Sequence, residues 1–243
     1  MKLLGDYHTH TNYTHGKSTI AENVAQAENL GLKELAITDH SYLGFNHIRK
    51  GDLDKMREEI NAVKDKYNVN VMLGIEANLI GRDGQIDIDD KELENLDIVV
   101  LGFHKLSKVG FREFWKFSLP NLIRKKPTKA QIERNTQAYI NAMNKHRVSI
   151  LAHLGYAGCA VDYVRLAKEC ASRGIYIELN GKRINFNEEE FKAMAETGVK
   201  FIIDSDAHCW ENIGKNHRAF NLIEKCKIPL DQIANVDKLP KFK

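Results

Sequence analysis

Seven of the ten histidines in this 243-residue chain stand where their spacing suits metal binding. His8 and His10 lie in DYHTHT, with His15 just beyond. His40 closes AITDH, Glu76 sits in LGIEAN, His104 closes LGFH and His153 closes ILAH. Asp206 and His208 belong to IIDSDAH. Imidazole and carboxylate together suit zinc, iron or manganese, and with no cysteine in the set zinc is not singled out. Side chains at i and i+2 of an extended strand share a face, so His8 with His10, and Asp206 with His208, can each grip one ion. These candidate ligands are more than one ion takes, because a catalytic zinc typically keeps about three protein ligands and an open position. Two or three ions are expected, with a shared carboxylate such as Glu76 bridging a pair. Burying so many imidazoles and carboxylates is costly unless they pair or hold metal.

These residues need elements to bring them together. Short runs rich in Val and Ile predict strands over Lys2–Tyr7, Glu34–Thr38, Val69–Ile75, Ile98–Gly102, Val148–Ala152, Ile175–Leu179 and Phe201–Ile203. Continuous apolarity marks strands covered on both faces, as in a parallel sheet wrapped by helices. Between them lie helical stretches with start and stop signals. Thr19 with Glu22, Thr128 with Gln131 and Asn187 with Glu190 read as capping boxes, Asp52 and Asp162 as helix starts, and Gly31, Gly174 and Gly198 as stops. Strand–helix alternation along residues 1–243 predicts one α/β domain, a barrel in preference to an open sheet. The candidate ligands then all fall at the C-terminal ends of strands, where a parallel barrel builds its active site. Glu178 and Asn180, in IELNG, share that position.

Composition narrows the classes. Hydrophobic residues make up 43%, enough for a large core, and a net charge of +3 does not announce a nucleic-acid binder. No apolar run approaches the roughly 18 residues of a membrane span, and no secretory h-region precedes Asp6. Cys159, Cys170, Cys209 and Cys226 lack metal or disulfide spacing. A cytoplasmic protein with free thiols is expected.

The motif set DYHTHT, ITDH, GIEAN, GFH, AH and SDAH, in this order and spacing, resembles the PHP (polymerase and histidinol phosphatase) family, most closely its small stand-alone YcdX-like phosphatase branch. The resemblance implies a distorted (β/α)7 TIM-like barrel carrying three divalent metal ions. Carried over by motif, His8, His10, Glu76 and Asp206 resemble the ligands of one ion, Glu76, His104 and His153 those of a second, and His15, His40 and His208 those of a third. It further implies hydrolysis of a phosphate ester, with a hydroxide held between ions attacking phosphorus in line. The expected substrate is a small phosphorylated metabolite, histidinol phosphate among the candidates. A phosphodiesterase or 3′–5′ exonuclease, and a non-catalytic metal-binding module, are the alternatives. Two departures from the family bear on substrate: AHLG at His153–Gly155 where relatives commonly read AHPG, and a long basic segment at residues 105–129.

Asp6, Asp39 and Asp204 neighbour candidate ligands, where carboxylates can orient imidazoles or simply bond loops. Lys105, Lys182 and Arg183 stand at strand ends as candidate substrate-phosphate donors. The 105–129 insertion, KLSKVGFREFWKFSLPNLIRKKPTK, has three readings. It is a lid, a nucleic-acid contact, or an amphipathic helix packing Phe111, Phe114, Trp115 and Leu119 downward, the last being favoured. His47, His146 and His217 lie off the strand ends, as surface or helix residues.

Overall fold

Seven parallel strands follow the same order in sequence and in space: β1 (Gly5–Asp6), β2 (Glu34–Ile37), β3 (Asn70–Asn78), β4 (Ile98–Gly102), β5 (Ile150–Leu151), β6 (Tyr176–Asn180) and β7 (Phe201–Asp204). The computed structural model describes residues 1–43, 46–105, 110–123 and 126–242. The parallel register sets Glu34 against Asn70, Gly74 against Ile98, Val100 against Ile150 and Ile177 against Phe201. Helices cover the outside, among them Ile20–Asn29, Asp52–Val63, Lys129–Lys145 and Tyr163–Arg173. Among the described residues no helix is long and apolar enough to cross a membrane.

Strand alternation splits the core in two. Leu35, Ile37, Val99, Leu101, Ile177 and Ile203 face outward under the helices. Ala36, Ile98, Val100, Ile150, Ala152 and Ile202 fill the barrel interior with Tyr7, closed below by Phe242. The inward positions continue upward at two-residue steps. Met72 leads through Gly74 to Glu76, Val100 through Gly102 to His104, and Tyr176 to Glu178, so the same face that packs the barrel delivers polar side chains to its mouth. Gly102 is required at its level, since a Cβ there would lie 2.6 Å from His153 Cε1 and 3.1 Å from Glu76 Oε1.

The barrel closes between β1 and β7 in an irregular way. A single parallel bridge joins Thr9 to Ala207 near the mouth, with His10 N donating to Ala207 O at 2.8 Å. Below it, side chains stand in for the ladder. Asp204 Oδ1 accepts from Tyr7 N at 2.7 Å and Asp6 Oδ1 from Ser205 N at 3.0 Å. Lower still, buried Asn235 donates to Gly5 O at 2.9 Å and Ile203 O at 2.7 Å, and accepts from Ile203 N at 3.0 Å. This substitution explains why the expected first strand, Lys2–Tyr7, shortens to Gly5–Asp6, with Leu3 bridged instead to Val236. The fifth strand likewise narrows to Ile150–Leu151, and the third runs on to Asn78.

The capping boxes at Thr19 and Asn187 form as expected. Thr128 accepts from Gln131 N, but the Gln131 amide turns away to Pro120 O and Asn121 Oδ1, at 2.9 and 2.6 Å. Asp52 lies inside its helix, not at the cap, and accepts from Arg49 N.

The insertion is helical over Phe111–Glu113, Phe114–Ser118 and Leu119–Ile123, with a π-turn in the middle piece. Residues 106–109 and 124–125 of it lie outside the described residues. The expected downward face is wrong for its three aromatic residues, while Leu119 is half-buried. Phe111 and Trp115 are 81% and 54% exposed, while Phe117 is 1% exposed and packs edge-on against Phe103. A π-turn carries an extra residue and so rotates the register, turning Phe117 and Asn121 to the barrel in place of Phe114 and Trp115.

Candidate metal centre

All nine candidate ligands meet at the mouth around Glu76. Its Oε2 lies 3.3 Å from His8 Nε2, 3.5 Å from His10 Nε2 and 2.8 Å from His40 Nδ1. Its Oε1 lies 2.7 Å from His153 Nε2 and 3.3 Å from His104 Nε2. Asp206 Oδ1 is 3.4 Å from both His10 Nε2 and His208 Nδ1. His15 completes the rim, stacked on His40 with ring centres 5.0 Å apart and edge-on to His208 at 4.2 Å. The ligand atoms of His8, His10 and Glu76 lie within 4.8 Å of one another, as do those of His10, His40 and His208, and those of His40, Glu76 and His104. His40 thus also reaches Glu76, beyond the His15–His40–His208 grouping that the family resemblance implies.

Two of these residues leave the ordinary strand conformation. Ala152 faces the interior, so simple alternation would turn His153 outward. The left-handed backbone at His153, φ +31°, brings it to the mouth instead, and Asp206 turns at φ +51°. Such conformations are uncommon away from glycine and cluster at functional sites.

The donor set fits divalent transition metal. His8 Nε2 and His10 Nε2 face each other at 3.2 Å. Among the described residues, buried Glu76 Oε2 makes no hydrogen bond although three imidazole nitrogens stand within 3.5 Å of it, an expensive arrangement that ion coordination relieves. Burial opposes charge on Glu76, but His104, His8 and His40 outweigh it and hold the carboxyl well below its usual range. Burial likewise opposes the Asp206 charge and is overcome, above all by the hydrogen bond from His10. Burial lowers His10 well below its usual value, with His40 adding to it, and lowers His208 to about 4. Both imidazoles are therefore neutral near pH 7, the form that binds metal.

The imidazoles of His8 and His104 are oriented by residues that carry no motif of their own. Glu178 Oε1 meets His8 Nδ1 at 2.6 Å, while its Oε2 accepts from His153 N at 2.7 Å and Asn180 Nδ2 at 3.0 Å. Asn78 Oδ1 meets His104 Nδ1. Only their place at strand ends could have pointed to them. Asp6, Asp39 and Asp204 instead bind backbone and hydroxyls. Asp6 accepts from Ser205 N and Gly214 N, Asp204 from Tyr7 N, and Asp39 from Thr11 N, Thr11 Oγ1 and Thr14 Oγ1, folding the loop that carries His10 and His15.

Over the cluster opens a cavity of about 130 Å³, lined by five of the candidate histidines with Glu76, Asp206, Tyr156, Lys182 and Arg183. Lys182 Nζ lies 3.1 Å from Asp206 Oδ1 and 2.6 Å from His208 Nδ1. Lys105 is exposed on the turn after β4 and does not line the cavity. Cys209 is no activated nucleophile, because burial and Glu211 push its thiol up. Away from the site, His146 pairs with Asp90 at 2.6 Å, His47 is half-buried and His217 is exposed at a helix start.

The family model for the PHP domain matches residues 6–205. A probable phosphatase of Caldanaerobacter subterraneus subsp. tengcongensis is 30% identical, with 100% of this chain aligned to 91% of that protein. One of Thermoanaerobacter sp. is 31% identical, over 98% and 92%. Among solved structures, the histidinol phosphate phosphatase of Lactococcus lactis subsp. lactis, complexed with zinc, L-histidinol and phosphate, is similar with a TM-score of 0.65 at 15% identity, covering 100% of this chain and 98% of that one. The putative histidinol phosphatase of Listeria monocytogenes is similar with a TM-score of 0.60 at 17% identity, over 89% and 99%.

Proposed function

The chain belongs to the PHP domain family, and from that premise we propose that it is a metal-dependent phosphomonoesterase acting on a small phosphorylated metabolite. The observation that carries this is the clustering of eight candidate ligands around Glu76 beneath a cavity that Lys182 and Arg183 also line. His8, His10, His15, His40, Glu76, His104, His153, Asp206 and His208 would hold up to three divalent ions of zinc, manganese or iron. When bound, such ions lower the pKa of water toward about 7 and polarise phosphoryl oxygens.

The rest is work for the chain's own side chains. Glu178 and Asn78 fix His8 and His104 in place. Lys182 and Arg183 supply positive charge at the rim, where phosphoryl oxygens enter. The cavity, about 130 Å³, is smaller than the roughly 300–1,000 Å³ of pockets that enclose drug-sized ligands. It suits a phosphoryl head with the alcohol part left at the rim. Histidinol phosphate, whose products accompany the Lactococcus enzyme, is one substrate of that kind.

A second reading, a phosphodiesterase or 3′–5′ exonuclease, draws on the exposed ring cluster of the insertion. Phe111 and Phe114 each contact Trp115 there, with centroids 6.0 and 5.8 Å apart, and exposed aromatics beside lysines can stack bases. Turnover of p-nitrophenyl phosphate and histidinol phosphate, against a single-stranded oligonucleotide, separates the readings with zinc or manganese present. Hydrolysis of the oligonucleotide alone overturns the first. Full activity after His8→Ala with His10→Ala overturns both.

A further inference from the structure

Arg183 sits over the Tyr156 ring, its guanidinium carbon 4.3 Å from the ring centre, and both residues line the cavity. Lys182, one residue earlier, is engaged by Asp206 and His208. Among the described residues no carboxylate pairs with Arg183. Its five donors, in a planar fork suited to phosphate oxygens, are held in place by an aromatic face.

Tyr156 is itself immobilised. Its ring meets His153 edge-on at 5.2 Å and His104 at 6.1 Å. The loop that carries it is left-handed at His153, Gly155, Ala157 and Gly158. A Cβ on Gly155 would lie 2.1 Å from Tyr163 Oη, and one on Gly158 2.5 Å from Asn121 O. Asn121 belongs to a buried amide cluster in which Gln131 Nε2 donates to it at 2.6 Å and Asn135 Nδ2 at 2.9 Å. Asn135 ties the cluster to the loop by donating to Ala160 O at 2.8 Å.

We propose that Tyr156 is a positioning residue that holds Arg183 over the cavity, ready to receive the non-bridging oxygens of a phosphate monoester. The proposal rests on the phosphomonoesterase reading for its substrate, but inorganic phosphate tests it without turnover. A long side chain fixed before the anion arrives loses less freedom on binding, so the stack acts on affinity and not on the chemical step.

The test compares Tyr156→Phe, Tyr156→Ala, Tyr156→Leu, Arg183→Ala and the double variant Tyr156→Ala/Arg183→Ala, all metal-loaded. The readouts are KM and kcat for p-nitrophenyl phosphate, the Kd of inorganic phosphate by calorimetry, and metal content. Tyr156→Ala should raise KM and the phosphate Kd by about 2- to 30-fold, the range of a cation–π contact, with kcat and metal content near wild type. Tyr156→Phe, which keeps the face, should behave as wild type, and Tyr156→Leu, which fills the space without one, as Ala. The double variant should be no weaker than Arg183→Ala. Unchanged affinity in Tyr156→Ala overturns the proposal, as does a Phe variant as weak as Ala, or losses that add in the double variant. If Tyr156→Ala loses metal, the Phe–Leu comparison decides, and Leu equal to Phe overturns it. Wild type that binds phosphate but does not hydrolyse the aryl ester refutes the phosphatase reading alone.

Discussion

Replacing Glu178 by glutamine changes one atom and should disable a candidate metal ligand 170 positions away in sequence. A carboxylate only accepts, so the 2.6 Å contact to His8 puts the imidazole proton on Nδ1 and leaves Nε2, which faces Glu76 at 3.3 Å, free to coordinate. At the other end of the carboxylate, Oε2 takes two donors, His153 N and Asn180 Nδ2. In Glu178→Gln those two donors keep the amide oxygen on their side and turn the NH2 toward His8. His8 Nδ1 must then accept, its proton moves to Nε2, and the ligating lone pair is lost. Outer partners of metal-bound histidines typically contribute about 10- to 100-fold in metal affinity, and a tautomer reversal belongs at the upper end. Titration of zinc or manganese against a chromophoric chelator measures the loss, and nitrogen chemical shifts of His8 report the tautomer directly. The metal-free protein should lose less stability than in a truncation to alanine, because all three hydrogen bonds survive, only the one to His8 reversed. Glu178→Ala should also destabilise it, by about 3 kcal/mol or more, since each orphaned buried donor costs about 1–3 kcal/mol. A glutamine variant that binds metal as tightly as wild type refutes this account of His8.

Three further outcomes follow from other parts of the molecule. Asn235→Ala removes the side chain that joins Gly5 and Ile203 across the seam and should cost about 3–5 kcal/mol in denaturant unfolding, while Lys238→Ala on the nearby surface should cost under about 0.5 kcal/mol. In the insertion, Phe117→Ala should destabilise by about 3–5 kcal/mol and Phe111→Ser by almost nothing, since the first is buried and the second exposed; equal effects would restore the simple amphipathic register. Burial pushes the Asp39 carboxyl up to about 6, against the hydrogen bonds from Thr11 and Thr14. The folded protein therefore binds that proton more tightly than the unfolded chain, and the contribution of Asp39 to stability falls as pH rises from about 4 to 6. Relative to metal-free wild type, Asp39→Asn should gain stability across that interval, as read by urea titration at each pH, and a constant difference would contradict the assignment.

The strands and the clustering of the candidate ligands are legible in the sequence for the same physical reason. Strands covered on both faces read as unbroken apolar runs, and a strand that ends at an aqueous mouth changes abruptly from Val and Ile to His, Glu or Asp. The sequence does not show partners chosen across the closed ring. Asp204 meets Tyr7 across 197 positions and Asn235 meets Gly5 across 230, and no local pattern announces such a pair. The insertion misleads for a different reason: helical periodicity assumes 3.6 residues per turn, and the π-turn at Phe114–Ser118 departs from it.

The left-handed backbone at His153 connects these cases. Such a conformation costs of order 1–3 kcal/mol and persists only where its surroundings enforce it. Here the enforcing contact is identifiable, because His153 N donates to Glu178 Oε2, whose other oxygen orients His8. One carboxylate on β6 therefore sets a backbone turn on one side and an imidazole tautomer on the other. His8 and His153 are positioned by a shared group and should respond together when it is changed. The nine candidate ligands form less a set of independent donors than a ring whose geometry depends on a few buried polar residues behind it. Those residues carry no metal-binding signature of their own.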